Sequence, residues 1–301
     1  MKKAIKFALI SSVVLALLAL LILYNTTMEV VHNPLDNRTE INTSPSDYDI
    51  LNYETVELTT FDDVKLVGWY IPSRNGAAII AQHGYKSDRT VMLNIASMLS
   101  RHGYGVIMID LRAHGESEGD IITFGKLERY DVDAAYQYLL TRPEVDKNRI
   151  GAIGNSMGGA TLIMYSADNP NIKAIAVQSS FAQIEDVAAV NIQQYTGLPP
   201  AQPLTYLVKL FVEQETGVQA EEISVLDSIG KISPRPILLM QGGQDEFIPI
   251  NSGQRLFDAA GEPKELWFEP EQEHVFFDRD YPDEFENRVI GFFDIYLLED
   301  D

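Results

Sequence analysis

Ser156 sits in Gly154-Asn155-Ser156-Met157-Gly158, between the apolar run Arg149 to Ile153 and a stretch with helical character. A serine flanked by small residues two positions away on either side marks a strand that turns abruptly into a helix, because the two elements pass too close there for larger side chains. Gly154 and Gly158, with Gly159 beyond them, meet that need. Such a turn lifts the Ser156 hydroxyl above its sheet. It also points the first helical N–H groups, that of Met157 foremost, at the place where an oxyanion would form. The chemistry permitted is attack by an activated hydroxyl, which needs a base and a group to orient that base.

Asp245 and His274 have the types and the places for those two tasks. Asp245 follows the apolar run Pro236 to Met240 in Gln241-Gly242-Gly243-Gln244-Asp245, and its neighbour Glu246 competes for the same role. His274 follows the run Lys264 to Phe268 and is the only histidine after Ser156. Earlier, His83-Gly84-Tyr85 follows Ala77 to Ala81. Gly84 permits a tight turn that brings the Tyr85 N–H round as a second oxyanion donor. The His83 ring is expected to fix that loop by hydrogen bonding. His102 and His114 read as satisfied or solvent-facing, and Arg112 as paired locally with a carboxylate.

The elements that must position these residues are legible as runs. Ala77 to Ala81, Gly105 to Ile109, Arg149 to Ile153, Ile172 to Val177 and Pro236 to Met240 are continuously apolar, while Thr90 to Arg101, Leu127 to Leu140 and Thr161 to Asn169 have helical spacing. Strands without alternation are buried on both faces, which predicts a doubly wound, mostly parallel α/β sheet with helices on both sides. Thr55 to Thr60 and Lys65 to Ile71 alternate instead, with Asp62-Asp63 between them, and predict an opening hairpin. In such a sheet a ligand lies beyond the carboxyl ends of the strands, where Tyr85, Ser156, Asp245 and His274 all fall.

Four motifs in this order resemble the α/β-hydrolase superfamily of serine-nucleophile type, over about residues 50 to 298. The chain is most similar there to bacterial hydrolases related to serine aminopeptidases and prolyl-oligopeptidase catalytic domains. Asp110 to Gly119 and Ser233-Pro234-Arg235-Pro236 support that likeness. The resemblance implies Ser156 as nucleophile, His274 as base, Asp245 as its orienter, and Tyr85 and Met157 as oxyanion donors. It sets His83 aside as a base, because the loop after this strand supplies the oxyanion hole in such hydrolases. It leaves the substrate open.

The chain of 301 residues is 46% hydrophobic, enough for a large α/β core. It contains no cysteine, so disulfides, thiolate metal ligands and cysteine nucleophiles drop out and serine chemistry remains. No metal or cofactor is indicated. The formal charge of −21 disfavours nucleic acid, whose phosphates need clustered Lys and Arg, and reads as a solvated acidic surface.

Phe7 to Tyr24 carry no charge and follow Lys2, Lys3 and Lys6. This predicts a membrane-spanning helix with its N-terminus in the cytoplasm and the rest of the chain outside. No small-x-small site follows it, which favours an uncleaved signal anchor in the cell membrane over a product secreted after cleavage. The expected organisation is an anchor over residues 1–24, a polar tether over 25–49, and the hydrolase domain over 50–301.

Within that domain a helical lid is expected at about 180–232. Leu204, Leu207, Val208 and Phe211 recur there with helical spacing, as do Tyr206 and Leu210, in a helix that either packs on the core or walls the site for an acyl group. Glu185, Asp186, Glu213, Glu215, Glu221, Glu222 and Asp227 are expected to be mostly solvated, with one of them available to bind a substrate amine. The expected activity is cleavage of an ester or thioester by acyl-enzyme chemistry. An aminopeptidase-like amide hydrolase is the first alternative. A non-catalytic module displayed on the membrane is the second, against which the intact trio argues.

Overall fold

A computed structural model describes residues 2–197 and 201–299. Met1, residues 198–200 of the expected lid, and the terminal residues 300–301 lie outside the described residues.

Eight strands form one sheet: β1 (Glu54–Thr59), β2 (Lys65–Ile71), β3 (Ala78–Gln82), β4 (Gly105–Ile109), β5 (Ile150–Asn155), β6 (Ile175–Gln178), β7 (Ile237–Gly242) and β8 (Lys264–Glu269). Their order is β1-β2-β4-β3-β5-β6-β7-β8. Only the β1–β2 and β2–β4 pairs are antiparallel; the rest run parallel. The alternating segments thus make the hairpin at one edge, and the continuous apolar runs make the parallel centre.

The helices are α1 (Lys2–Val31), α2 (Leu93–Arg101), α3 (Glu128–Leu140), α4 (Met157–Asp168), α5 (Ile184–Thr196), α6 (Gln202–Thr216), α7 (Val225–Ile229), α8 (Ser252–Ala259), α9 (Phe277–Asp280) and α10 (Pro282–Phe293). Successive side chains of a strand point to opposite faces, and here the two faces feed two cores. Ile80, Ile107, Ala152, Val177 and Leu239 pack with residues of α3, α4, α7 and α8. Ile79, Met108, Ile153, Ala176 and Met240 pack with residues of α2, α9 and α10. Burial on both faces is the reason these strands carry no polar alternation.

The structure departs from the expected tether. Residues Ile5–Val31, a stretch of 27, form a helix long and apolar enough to cross a membrane. Side chains such as Phe7, Val13, Leu15 and Ile22 are exposed, whereas Leu23, Thr27 and Val31 are buried. These three lie four residues apart and share one face. Residues 25–31 are therefore the docked last turns of α1, not a flexible linker. The polar sequence is compatible with helix because the Thr27 hydroxyl donates to the Leu23 carbonyl at 2.8 Å, satisfying itself within the turn. The following residues also lie on the domain: Asn33 donates to the Ala113 carbonyl at 2.7 Å, and Pro45 and Ile50 are buried.

The insertion holds α5 and α6 as a helical pair, and α6 also packs along α1. α7 contacts α4 and α8 and belongs to the core layer instead.

Candidate active site

Ser156 stands between β5 and α4 with φ 52° and ψ −120°, a conformation costly for any residue with a Cβ and kept only where the surroundings enforce it. Its N–H donates to the Gln178 carbonyl at 2.8 Å, and its carbonyl accepts from Ala160 N–H at 3.1 Å, which starts the helix. A Cβ on Gly158 would lie 2.2 Å from the His83 carbonyl oxygen, and one on Gly154 would lie 2.7 Å from a Leu162 methyl and 2.9 Å from the Gly159 nitrogen. Both positions therefore exclude side chains for the reason the spacing suggested. Gly84 also passes close: a Cβ there would be 3.2 Å from the Ser156 Cβ. The Tyr85 loop and the Met157 helix start thus converge on Ser156.

Asp245 and His274 meet beyond β7 and β8. His274 Nδ1 donates to Asp245 Oδ2 at 2.8 Å; a carboxylate only accepts, so the neutral ring carries its lone pair on Nε2. Asp245 is buried and held in place: its Oδ1 accepts from the N–H groups of Phe247 at 2.9 Å and Ile248 at 2.8 Å, and its Oδ2 from Gln241 Nε2 at 3.3 Å. The Phe247 ring lies 5.2 Å from the imidazole. Glu246, the competing carboxylate, is not the residue on His274.

Gln178 has a role the sequence did not reveal. Its amide donates to Asn155 Oδ1 at 2.9 Å beside Ser156 and accepts from Phe277 N–H at 3.1 Å beyond His274. It therefore ties the serine turn to the histidine loop from the end of β6. Its only advance signal is a glutamine closing an otherwise apolar strand.

The loops after β3 and β4 are joined by histidines. His83 Nδ1 donates to the Gly84 carbonyl at 2.7 Å, and its Nε2 accepts from Leu111 N–H at 3.0 Å. The ring is fully buried, and burial lowers its pKa. It fixes the loop, as expected, and is committed on both nitrogens. His114 is likewise buried and satisfied, while His102 bonds Glu286 at 2.8 Å near the surface. Arg112 pairs with Asp131 at 2.7 Å and Asp62 at 2.7 Å; the Arg112 guanidinium brings the Asp62 carboxyl down to about 2. Arg89 pairs with Asp110 and Glu116 under the same loops, its guanidinium 4.2 Å above the Trp69 ring.

Ser156, Met157, Tyr85 and His274 line one cavity of about 330 Å³, together with Phe124, Phe181, Val187, Val190 and Phe247. Asp245 stands behind His274, and Gly154 and Gly158 lie beneath Ser156. The lid wall here is α5, through Val187 and Val190, and not α6, which stands one layer further out. No Asp, Glu, Lys or Arg is among the described lining residues. The expected amine-binding acid is therefore not found there. Asp186 pairs with Arg255 at 2.7 Å and Glu215 with His32 at 2.9 Å. Glu221 and Glu222 pair with Lys209 and Lys126, and Asp227 accepts from the Ser224 hydroxyl at 2.6 Å.

A mostly parallel sheet with a strained serine at the β5–α4 turn and a histidine–aspartate pair beyond β7 and β8 defines a class, and known proteins agree with it. A family model described as serine aminopeptidase, S33, matches residues 73–211. The uncharacterized protein YfhR of Escherichia coli strain K12 is 30% identical over 249 residues, 79% of this chain and 80% of that one. The alpha/beta hydrolase domain-containing protein WAV2 of Arabidopsis thaliana is 28% identical over 212 residues, 66% of this chain and 64% of that one. The solved esterase Pf2001 of Pyrococcus furiosus superposes with a TM-score of 0.74 at 30% identity, over 89% of this chain and 98% of that one. The chain belongs to the α/β-hydrolase superfamily and is a hydrolase.

Proposed function

We propose that this protein is a serine esterase, held at the membrane by α1, that cleaves carboxylic esters or thioesters through an acyl-enzyme. The observation that carries the proposal is the 2.8 Å His274–Asp245 bond on the cavity that Ser156 also lines. In this reading Asp245 keeps the proton on Nδ1, Nε2 takes the Ser156 proton as the hydroxyl attacks, and the Met157 and Tyr85 N–H groups hold the oxyanion. Water then attacks the acyl-enzyme by the same base. Helix α1 acts as an uncleaved signal anchor with Lys2, Lys3 and Lys6 on the cytoplasmic side and the catalytic domain outside.

The family model's name favours a peptidase as the second reading. An aminopeptidase needs a carboxylate for the substrate's ammonium, and the described lining of the Ser156 cavity has none, which supports a neutral ester over an aminoacyl amide. Fluorophosphonate labelling, with hydrolysis of a short neutral ester beside that of an aminoacyl amide, tests the assignment. Labelling and ester turnover that vanish in Ser156→Ala are expected; a folded protein that is neither labelled nor active would instead be a non-catalytic module.

A further inference from the structure

A second cavity, of about 360 Å³, adjoins the first. Its walls come from the end of α1 (Leu23, Thr27 and Val30), from α5 (Ala188 and Ile192) and from α6 (Val212). Phe124 and Val187 line both cavities and so form their common wall. The size is at the lower end of the range for small-molecule sites, about 300–1,000 Å³. The charged groups among its described lining residues are Glu185, Lys209 and Glu213, and Lys209 stands 3.6 Å from Glu213. That set has no surplus of positive charge with which to hold a phosphate or carboxylate, and the remaining lining is largely aliphatic.

The position of this cavity along α1 points to its occupant. About 20 helical residues cross the hydrocarbon core, so a span beginning near Phe7 leaves it near Thr26. The side chains from Ser12 through Ile22 are exposed, and Leu23 is buried against the domain. The cavity therefore begins where α1 emerges at the bilayer surface, the level at which lipid ester groups lie. Tyr24 packs edge-on against Phe211 of α6 at 5.3 Å. The last carbonyls of α1 accept from the Tyr85 hydroxyl at 2.7 Å and from Lys86 Nζ at 2.6 Å, so the helix end, the cavity and the Tyr85 loop form one unit.

Resting on the esterase reading above, we infer that this second cavity takes the acyl chain of a long-chain ester drawn from the adjacent leaflet. The carbonyl sits at Ser156, the chain passes Phe124 and Val187, and the polar part of the lipid stays outside.

Two measurements on the full-length protein in proteoliposomes test the inference. For p-nitrophenyl esters from acetate to laurate, kcat/KM should rise by about fourfold per added methylene until the cavity is filled. Ala188→Trp and Val212→Trp, each checked for folding by circular dichroism, should lower the laurate-to-acetate ratio by at least about tenfold, since a filled cavity forfeits several methylenes. In parallel, a photoreactive palmitate in the bilayer should cross-link to α5 and α6, and Ala188→Trp should suppress it. A wild-type profile that falls beyond butyrate, or no cross-linking to α5 and α6, overturns the acyl-chain proposal while leaving Ser156-dependent ester hydrolysis standing. Cross-linking without any Ser156-dependent turnover sinks the esterase reading and leaves the chain site. Efficient cleavage of soluble laurate ester beside no cleavage of the same ester held in the bilayer would remove the leaflet as its source.

Discussion

His83 and His114 fasten each other's loops. The Leu111 N–H, in the loop after β4, donates to His83 Nε2 at 3.0 Å, while the Lys86 N–H, in the loop after β3, donates to His114 Nε2 at 3.0 Å. Their rings lie 5.0 Å apart, and each sends Nδ1–H to a carbonyl of its own loop, Gly84 and Arg112 respectively. Both rings must be neutral, because each Nε2 is an acceptor. One of the two loops carries Tyr85, so this reciprocal bond fixes part of the wall of the cavity that Ser156 and His274 also line.

The lock makes the protein sensitive to mild acid. Burial lowers the pKa of His83 and puts that of His114 well below its ordinary 6.5. The folded state then binds fewer protons than the unfolded one as the pH drops below 6.5, so this stability is present above 6.5 and is lost on acidification. Each ring contributes at most about 1.4 kcal/mol per pH unit. Melting curves between pH 7.5 and 5.5 should show Tm falling. In His114→Phe, which leaves the Lys86 N–H without its acceptor, Tm should be lower at pH 7.5 by the equivalent of about 1–3 kcal/mol and should fall less steeply with acid. A wild-type Tm that rises on acidification would refute the account.

Removing the proposed reacting groups should abolish turnover without unfolding. Ser156→Ala and His274→Ala are each expected to lower kcat by several powers of ten, since nucleophile and base act as a unit. Asp245→Asn should be nearly as severe, because it loses the carboxylate that keeps the proton on Nδ1. Steady-state kinetics with circular dichroism on the same samples decide it. A folded Ser156→Ala with a substantial fraction of wild-type turnover would move the nucleophile elsewhere.

The candidate site was legible in the sequence because its parts are local. A glycine-spaced serine after an apolar run, an acid after another and a late histidine each announce a strand end, and the parallel sheet brings strand ends together. The strand boundaries moved by at most three residues from the runs: one or two at β5 (Ile150–Asn155) and β7 (Ile237–Gly242), three at the start of β6 (Ile175–Gln178). What stayed hidden depends on contacts distant in the chain. Residues 25–31 look like a linker because Asn25, Thr26 and Thr27 are polar; their helical state rests on burial of Leu23, Thr27 and Val31 against the domain. The apolar stripe of α6 correctly indicated a packed helix, yet its neighbours are α1 and α5 rather than Ser156. Periodicity reports that a face is covered, not what covers it. Gln178 offered no more than a glutamine closing an apolar strand, since its two partners lie 23 and 99 residues away.

The glycines of the serine turn should differ in severity. At Gly158 a methyl would meet the His83 carbonyl oxygen at 2.2 Å, whereas at Gly159 its nearest contacts would be the Val177 Cβ at 3.1 Å and the Gly154 carbonyl oxygen at 3.2 Å. Contacts of 3.1–3.2 Å are relieved by a shift of a few tenths of an ångström, and one of 2.2 Å is not. Gly158→Ala is therefore expected to cost about 3 kcal/mol or more and most of the activity, and Gly159→Ala to cost about 1 kcal/mol. Urea denaturation of both variants gives the comparison, and equal midpoints would show that the turn tolerates backbone movement.

The end of α1 should be needed where its beginning is not. Deleting residues 1–20 removes the exposed span and keeps Leu23, Thr27 and Val31 in their places. Deleting residues 1–32 takes that buried face away, uncovers Phe211, and leaves the Tyr85 hydroxyl and Lys86 Nζ without the Val30 and Glu29 carbonyls. Burial of the two aliphatic side chains alone is worth about 1.5–3 kcal/mol each. At about 2–4 °C per kcal/mol for a domain of this size, the longer deletion should lower Tm by roughly 5–20 °C. The shorter deletion should release the protein from membranes with Tm nearly unchanged. Hydrogen exchange should further show α6 and the Tyr85 loop losing protection only in the longer deletion. Equal Tm and equal protection in the two truncations would mean that residues 25–31 are a tether after all, docked in the structure but contributing nothing to the fold.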